Sequence, residues 1–507
     1  MFELSRRFVF AVLVALFTTG AYADIVVNTE ADEDINNAAC SLREAITAVD
    51  IHGDYNGCAD PATTWSKITF AIPGAVGAVH TISLNDKLPT INNTVFIDAT
   101  TQGGTICTPG PDLRVQIING GIVGYGLYLG SAATGSKIRG LALSGFSGSG
   151  GTGIWIQSDA TTIGCVISGM DATGTTAQPN VYGIYVDAKH ATIGEATASD
   201  WFPNLISANS STNISVTFGA DDTLIAGNYV GVDHSGLTPL PSGYGIAVSG
   251  AARTHIGTGF SDGPPAHQRN IVGVVNAPPY SANEIDLEGA TDTVIAGNYI
   301  GVGRDGHTVL PIGIGVGISI NTSGNTLIGC NGLGGWDDCR NVIVNPSDGT
   351  FFATAIAAAN SSTGTAIVNN FVNVAADGIT SLAGPSSSAN DCVELSVNAL
   401  VARNMISAGD GIDIQLVSSA GFVNPGIAGT GGAPLNSTDN CFVDTASTGV
   451  FTDTATLFFY NWWGAADGPK PAGSGAYASP PVITAPFLTA PSAYCSVDHI
   501  FADGFGG

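Results

Sequence analysis

The chain has 507 residues and a formal charge of −26, with 41 Asp and Glu against 15 Lys and Arg. A surface this acidic argues against nucleic acid as a partner and against direct, unassisted binding of polyanionic sugars. Only 11% of residues are charged, while the 68 glycines and abundant Ser, Thr and Asn suit short turns and polar outer strand faces.

At the N-terminus, Arg6 and Arg7 precede the apolar run Phe8 to Phe17, and Ala21-Tyr22-Ala23 is a small-residue cleavage site, so residues 1–23 read as a secretory signal peptide. An anchoring helix would need about 20 apolar residues, roughly twice what this run has. No later stretch is long and apolar enough to span a membrane. The expected location is extracellular or on the cell surface. Cleavage would remove Glu3, Arg6 and Arg7, a net +1, and take the charge from −26 to −27. Nine cysteines in an exported chain predict disulfides with at least one cysteine left over. Cys40 with Cys58 and Cys330 with Cys339 are the expected local bridges, although sequence leaves connectivity open. No Cys-x-x-Cys pair points to a metal site.

Asp24 to Val27 reads as a short strand. In the segment that follows, Asp32, Asp34 and Asn36 place oxygen ligands at alternate positions as a calcium loop does. The usual Gly and twelfth-position Glu are absent, and a solvated acidic turn is the alternative. Calcium is the one cofactor the sequence suggests. Ser41-Leu42-Arg43-Glu44 is a capping box, in which the Ser41 hydroxyl accepts from the Glu44 amide while the Glu44 side chain reaches back. The helix it starts carries Leu42, Ala45, Ile46 and Val49 on one side and is suited to cover the open end of a stacked structure. A recognition helix is the alternative.

Lys67 to Ile72, His80 to Leu84, Thr94 to Ile97 and Val115 to Ile118 read as opening strands. Further on, the chain repeats itself. Thr223 to Ile246 reads TLIAGNYVGVDHSGLTPLPSGYGI and Thr293 to Val316 reads TVIAGNYIGVGRDGHTVLPIGIGV, without gap or insertion. Short β-branched runs are broken by Gly-Asn and Gly, and no stretch keeps a helical apolar period. Gly227-Asn228 and Gly297-Asn298 suit tight corners, because Gly and Asn accept left-handed backbone angles. If each repeat stacks on the last, Asn228 and Asn298 fall in one column, where side-chain amides form a ladder.

Ile193-Gly194, Ile256-Gly257 and Ile328-Gly329 head three blocks that lead to Asn204-Leu-Ile, Asn270-Ile-Val and Asn341-Val-Ile, with a fourth version at Asn404. At about 20 to 25 residues per coil, each block is expected to hold three coils. The pattern predicts an all-β fold, a right-handed parallel β-helix (solenoid) with an N-terminal capping helix. Its parts would be a cap over 24–66, the β-helix over 67–455 and a C-terminal cap with an irregular tail over 456–507. The helix would hold about 12 to 16 coils and measure roughly 60 to 75 Å.

These residues also carry a family resemblance. TLIAGNYVGVDHSG and RNIVGVVN resemble the repeats of secreted right-handed parallel β-helix proteins, and ISLNDKLPTINNTVFIDATTQGG resembles their first coils. Cys40-Ser-Leu-Arg-Glu-Ala-Ile46 matches the CSLREA segment that precedes those coils. Phe458-Phe-Tyr-Asn-Trp-Trp-Gly464 with Asp467-Gly-Pro469 resembles the close of such proteins, and Asp498 to Phe505 resembles a short tail of secreted Gram-negative proteins, an export or sorting address. The resemblance implies a pectin-lyase-like β-helix, exported and surface-associated. It implies no activity, because the fold hosts lyases, hydrolases, adhesins and inert scaffolds.

A glycoside hydrolase would need two carboxylates about 6.5 to 9.5 Å apart. Candidates are Asp221 with Asp222, Asp337 with Asp338, Asp286 with Glu288, and Asp391 in Asn390-Asp391-Cys392-Val393. The last resembles the polygalacturonase DDC element but lacks its NTD, GHG and RIK companions. Acidic turns are the alternative. A lyase needs a base and a neutraliser for the sugar carboxylate. Arg269, Arg340 and Arg403 recur at similar points, and that recurrence argues for structure; Lys189 has Asp187 and His190 beside it. Gly259-Phe-Ser261-Asp-Gly263 matches G-x-S-x-G, but with Pro264 and Pro265 following it reads as a turn. Trp155, Tyr182, Tyr185, Tyr244, Trp201 and Trp336 are aromatics that could stack on sugars or fill gaps between loops.

The expected function is that of an exported β-helix that contacts carbohydrate, adheres or serves as structure, with a polysaccharide or cell-surface glycan as partner. The alternative is a polysaccharide lyase or glycoside hydrolase working in a groove of the β-helix.

Overall fold

The β-branched runs are too short to stand alone, with Tyr229–Val230 and Tyr299–Ile300 only two residues each. Each is held by parallel pairing with its equivalent one turn earlier and one turn later. The computed structural model describes residues 24–495 apart from 61–64, 109, 122–123, 197–200, 260–263, 276–281, 311–314, 331–338, 345–352, 384–389, 398, 410, 418–437, 453–455, 481 and 493–494. The expected signal peptide and the tail from Asp498 lie outside these residues.

Three all-parallel sheets of 12, 12 and 13 strands wrap a common interior. The chain visits them in rotation, as in Thr162–Gly164, Ile167–Ser168 and Tyr182–Val186, and returns to the first sheet at Thr192–Ile193 beside the strand it left. This is a right-handed parallel β-helix. Its interior is columnar. From Ile25 to Ile367 the inward position of the first sheet is isoleucine in every rung, without exposed surface.

At the corner between the first and second sheets a second column is polar. Asn204, Asn228, Asn270, Asn298, Asn341, Asn370, Asn404, Asn440 and Asn461 are fully buried. Each of the first eight donates from Nδ2 to Oδ1 of the next at 2.8–3.1 Å, and Asn461 donates to Phe459 O at 2.8 Å. Asn228 and Asn298 share this column, with Asn270 between them. Main-chain carbonyls accept as well; Asn298 Nδ2 also donates to Ile256 O at 2.8 Å.

Each sequence block holds two coils, not three. Ile193, Ile225 and Ile256 are consecutive partners in the first sheet, and so are Ile256, Ile295 and Ile328. Excursions take up the extra length, and they alternate. Gly194, Gly257 and Gly329 (φ 93, 107 and 93°) each turn the chain outward before the corner asparagine, and a Cβ there would lie 1.8–1.9 Å from a carbonyl oxygen of the next rung. In the intervening coils the corner is direct, and a hairpin follows the second-sheet strand, closed at Val232↔Pro239, Val302↔Val309 and Val374↔Ser381. These hairpins seal a second apolar cluster, including Tyr229, Tyr299, Phe371, Val232 and Val302, over the outer face of the second sheet.

Both ends are covered. Helix α1, Leu42–Ile51, starts at the capping box: Ser41 Oγ accepts from the Glu44 amide at 3.2 Å, and the Ser41 amide donates to Glu44 Oε2 at 3.0 Å. Its residues Leu42, Ala45, Ile46 and Val49 join the main core. At the other end Trp463, fully buried, packs on Phe442 and Phe458 at centroid distances of 4.7 and 6.3 Å. Four disulfides, Cys40–Cys58, Cys107–Cys165, Cys330–Cys339 and Cys441–Cys495, use eight of the nine cysteines, and Cys392 is buried in the third sheet. Among the described residues no helix is long and apolar enough to cross a membrane.

Candidate binding face

In the third sheet two consecutive buried positions, such as Gly126-Leu127 and Gly183-Ile184, separate outward residues, so side chains three apart share the outer face. Two outward columns matter. One runs Tyr128, Trp155, Tyr185, Ser215, Ala247, Asp286 and Ser319 from rung to rung; the other runs Tyr125, Thr152, Tyr182, Thr212, Tyr244 and Asn283. Register therefore gathers five aromatic rings over three rungs. Centroid distances are 5.0 Å for Tyr125–Tyr128, 5.1 Å for Tyr128–Trp155, 5.7 Å for Trp155–Tyr185 and 5.4 Å for Tyr182–Tyr185. All five rings are half-buried, which leaves part of each facing solvent.

A polar edge runs beside the rings. Tyr128 Oη donates to Gln157 Oε1; Gln157 Nε2 donates to Asp187 Oδ2 at 3.1 Å and Thr217 Oγ1 to Asp187 Oδ1 at 3.3 Å. Burial, with neighbouring tyrosines and Asp187 adding to it, pushes the Tyr128 and Tyr185 hydroxyls up, so both keep their protons. The Lys87 ammonium stands 5.5 Å from the Tyr125 centroid. Past the rings, Ser215 and Ala247 lower the surface before Tyr244 and Asp286. Burial pushes the Asp286 carboxyl up although Asn283 Nδ2 donates to it at 2.7 Å. Glu288 follows two residues along on the same face, about 6.6 Å further down the strand, and accepts from Thr322 Oγ1 at 2.8 Å.

The other candidates fall elsewhere. Asp221 and Asp222 lie on the turns from the third sheet to the first, where stacking brings them to Lys189 and His190. Arg253 Nε and Nη2 donate to Asp222 at 2.7 Å, Lys189 Nζ is 3.9 Å from Asp221, and His190 Nδ1 is 3.9 Å from Asp222. His190, Asp222, Arg253 and Asp292 occupy equivalent left-handed turn positions (φ 54–59°), so this is a surface ion network imposed by the turns. Asp391 lies in the strand Asn390–Leu395 opposite Thr354 and Ile412, with its side chain outside the described residues, as are Asp337, Asp338, Trp336 and Ser261. Arg269 and Arg340 stack on Tyr299 and Phe371, 4.2 and 4.3 Å from the ring centroids, clamping one coil to the next. Trp201 stacks on His267 at 4.7 Å, apart from the five rings.

Near the N-terminus both Asp32 oxygens accept from Arg43 at 2.9 Å, Asp34 accepts from Asn56 Nδ2 at 3.0 Å, and Asn36 is exposed. Among the described residues no three His, Cys, Asp or Glu side chains gather as a metal would require.

Two acids that sequence reasoning missed point inward. Glu284 and Asp413 occupy the core column where other rungs carry Gly245, Gly317 and Gly449, and neither has exposed surface. Burial pushes both carboxyls well up, although Ser447 Oγ donates to Asp413 at 2.5 Å. A carboxyl raised in the folded state keeps a proton that the unfolded chain has lost, so stability falls as pH rises above the ordinary range. The slope is at most about 1.4 kcal/mol per pH unit for each group. Thermal unfolding from pH 4 to pH 8 is expected to show this fall, and Glu284→Gln is expected to flatten it and raise the midpoint at pH 8.

The chain belongs by architecture to the right-handed parallel β-helices. No family model matches it, and no curated protein does. Among solved structures it is similar to the Dettilon tailspike protein, with 11% identity and a TM-score of 0.42 over 88% of this chain; that match spans 64% of the tailspike chain. It is also similar to PfbA, a surface adhesin of Streptococcus pneumoniae (12%, TM-score 0.41, 87% of this chain and 90% of that one). A DFA-IIIase from Arthrobacter chlorophenolicus A6 in complex with GF2 matches at 11% identity and a TM-score of 0.30, over 88% of this chain and 92% of that one. Likeness at this level carries no argument about activity.

Proposed function

We propose that this protein is an exported, carbohydrate-contacting β-helix that engages a glycan along the outer face of its third sheet. The five-ring platform carries this reading. Tyr125, Tyr128, Trp155, Tyr182 and Tyr185 offer partly exposed π faces to the C–H face of a sugar ring, and Gln157, Asp187 and Thr217 supply acceptors and donors for its hydroxyls. Four disulfides support passage through an oxidising compartment. Titration with an oligosaccharide that the wild-type protein binds is the test. Trp155→Ala is expected to weaken binding at least about tenfold, or about 1.4 kcal/mol, with the unfolding midpoint unchanged. Equal affinity of variant and wild type would remove the platform from the binding surface.

A second reading, a glycoside hydrolase, is favoured by the Asp286–Glu288 pair beside Tyr244 on the same face. A carboxyl raised by burial, like that of Asp286, suits a general acid, with Glu288 as its base. In that case Asp286→Asn would abolish release of new reducing ends while leaving glycan retention intact.

A further inference from the structure

Cations are scarce in this chain, at 15 against 41 acids, yet three meet on the outer face of the first sheet. Lys67, Phe96 and Lys137 are successive partners in one outward column, with Asp98 and Arg139 paired in the column beside it. The Phe96 ring is their centre: Lys67 Nζ lies 5.1 Å, Lys137 Nζ 5.8 Å and Arg139 Cζ 5.6 Å from its centroid. Two carboxylates hold the group, Asp98 at 3.0 Å from Lys67 Nζ and Glu195 at 2.8 Å from Lys137 Nζ, with Glu195 also paired to Arg139. Three cations against two carboxylates leave one positive charge over, in a chain that is otherwise strongly negative.

A depression of about 350 Å³ opens beside this cluster, lined by Trp65, Thr94, Val95, Phe96, Gly135 and Lys137. Its walls combine two aromatic side chains with an ammonium group. Lys137 is 34% exposed, and an ammonium carries three N–H donors, more than its contact with Glu195 uses. A group serving only to tie neighbouring coils would need neither the surplus charge nor the open space.

We propose that this depression binds one carboxylated sugar unit, with the sugar ring against Trp65 and Phe96 and the carboxylate on the Lys137 ammonium. The volume suits a small ligand, and the negative field of the whole chain excludes a long polyanion while tolerating a single acidic residue. The site lies on the first sheet, away from the aromatic platform of the third, and is independent of it.

Isothermal titration of the full chain with digalacturonate, with its methyl ester and with cellobiose tests the assignment. Digalacturonate is expected to bind, and the methyl ester and cellobiose at least tenfold more weakly. Lys137→Gln should lower digalacturonate affinity at least tenfold, and Lys137→Arg should largely retain it. Thr94→Trp, at the half-buried rim, should block the depression and keeps the test open if Lys137→Gln does not fold. Equal affinity for acid and ester, no binding of digalacturonate at millimolar concentration, or full affinity in Lys137→Gln would each overturn the proposal.

Discussion

Asn298→Ala is expected to cost about 3 to 5 kcal/mol of stability, read as a lower midpoint in chemical denaturation. Asn298 Oδ1 accepts from the Asn270 amide at 3.3 Å and from Asn270 Nδ2 at 2.9 Å, and its own Nδ2 donates to Ile256 O and to Asn341 Oδ1 at 2.8 and 3.1 Å. Alanine would leave two Asn270 donors without an acceptor in a corner that water does not reach. Such stranded groups cost about 1 to 3 kcal/mol each. Because rungs of a solenoid touch only their neighbours, the damage should stay local. Hydrogen exchange should rise in the rungs of Asn270 and Asn341 and remain unchanged in α1. An unaltered midpoint would mean that the ladder is ornamental to stability.

Trp463→Ala is the second large effect, at about 3 to 5 kcal/mol. Trp463 has no exposed surface, is the largest fully buried side chain among the described residues, and closes the last rungs against Phe442 and Phe458. Its removal opens a cavity that two rings cannot fill without moving. Because a solenoid frays from its ends, this variant should expose Phe442 and lose its C-terminal rungs first. Proteolysis that clips the C-terminal rungs and spares those near α1 would be the corresponding observation.

Stacking was legible because it repeats in the letters. Gly227-Asn228 and Gly297-Asn298 mark corners whose amides must pair, and the capping box at Ser41 and Glu44 depends on local spacing alone. The coil count per block was not legible, because an excursion after Gly194 or Gly257 looks the same in sequence as another turn of the helix. Only pairing distinguishes them, as with Ile193, Ile225 and Ile256.

The candidate binding face was partly legible. Trp155, Tyr182 and Tyr185 stood out singly, while Tyr125 and Tyr128 did not. The shared spacing of Tyr125-Gly-Leu-Tyr128, Thr152-Gly-Ile-Trp155 and Tyr182-Gly-Ile-Tyr185 would have predicted one surface. Register then does the gathering, in the same way that it brings Lys189 and His190 to Asp221 and Asp222 from different coils. Glu284 was hidden for the opposite reason. It sits in Asn283-Glu284-Ile285, which reads as an ordinary polar strand edge until the rung is aligned with Gly245 and Gly317.

The most direct measurement of the carbohydrate reading is incubation of the purified protein with plant, algal and bacterial polysaccharides, following retention on each together with ultraviolet absorbance and new reducing ends. Retention on at least one polysaccharide, lost in Trp155→Ala and without product, is the predicted result. Product formation would instead make the protein an enzyme, a lyase if absorbance rises and a hydrolase if only reducing ends appear. No retention on any polysaccharide, or retention undiminished in Trp155→Ala, would contradict the assignment of the third sheet as a glycan-binding face.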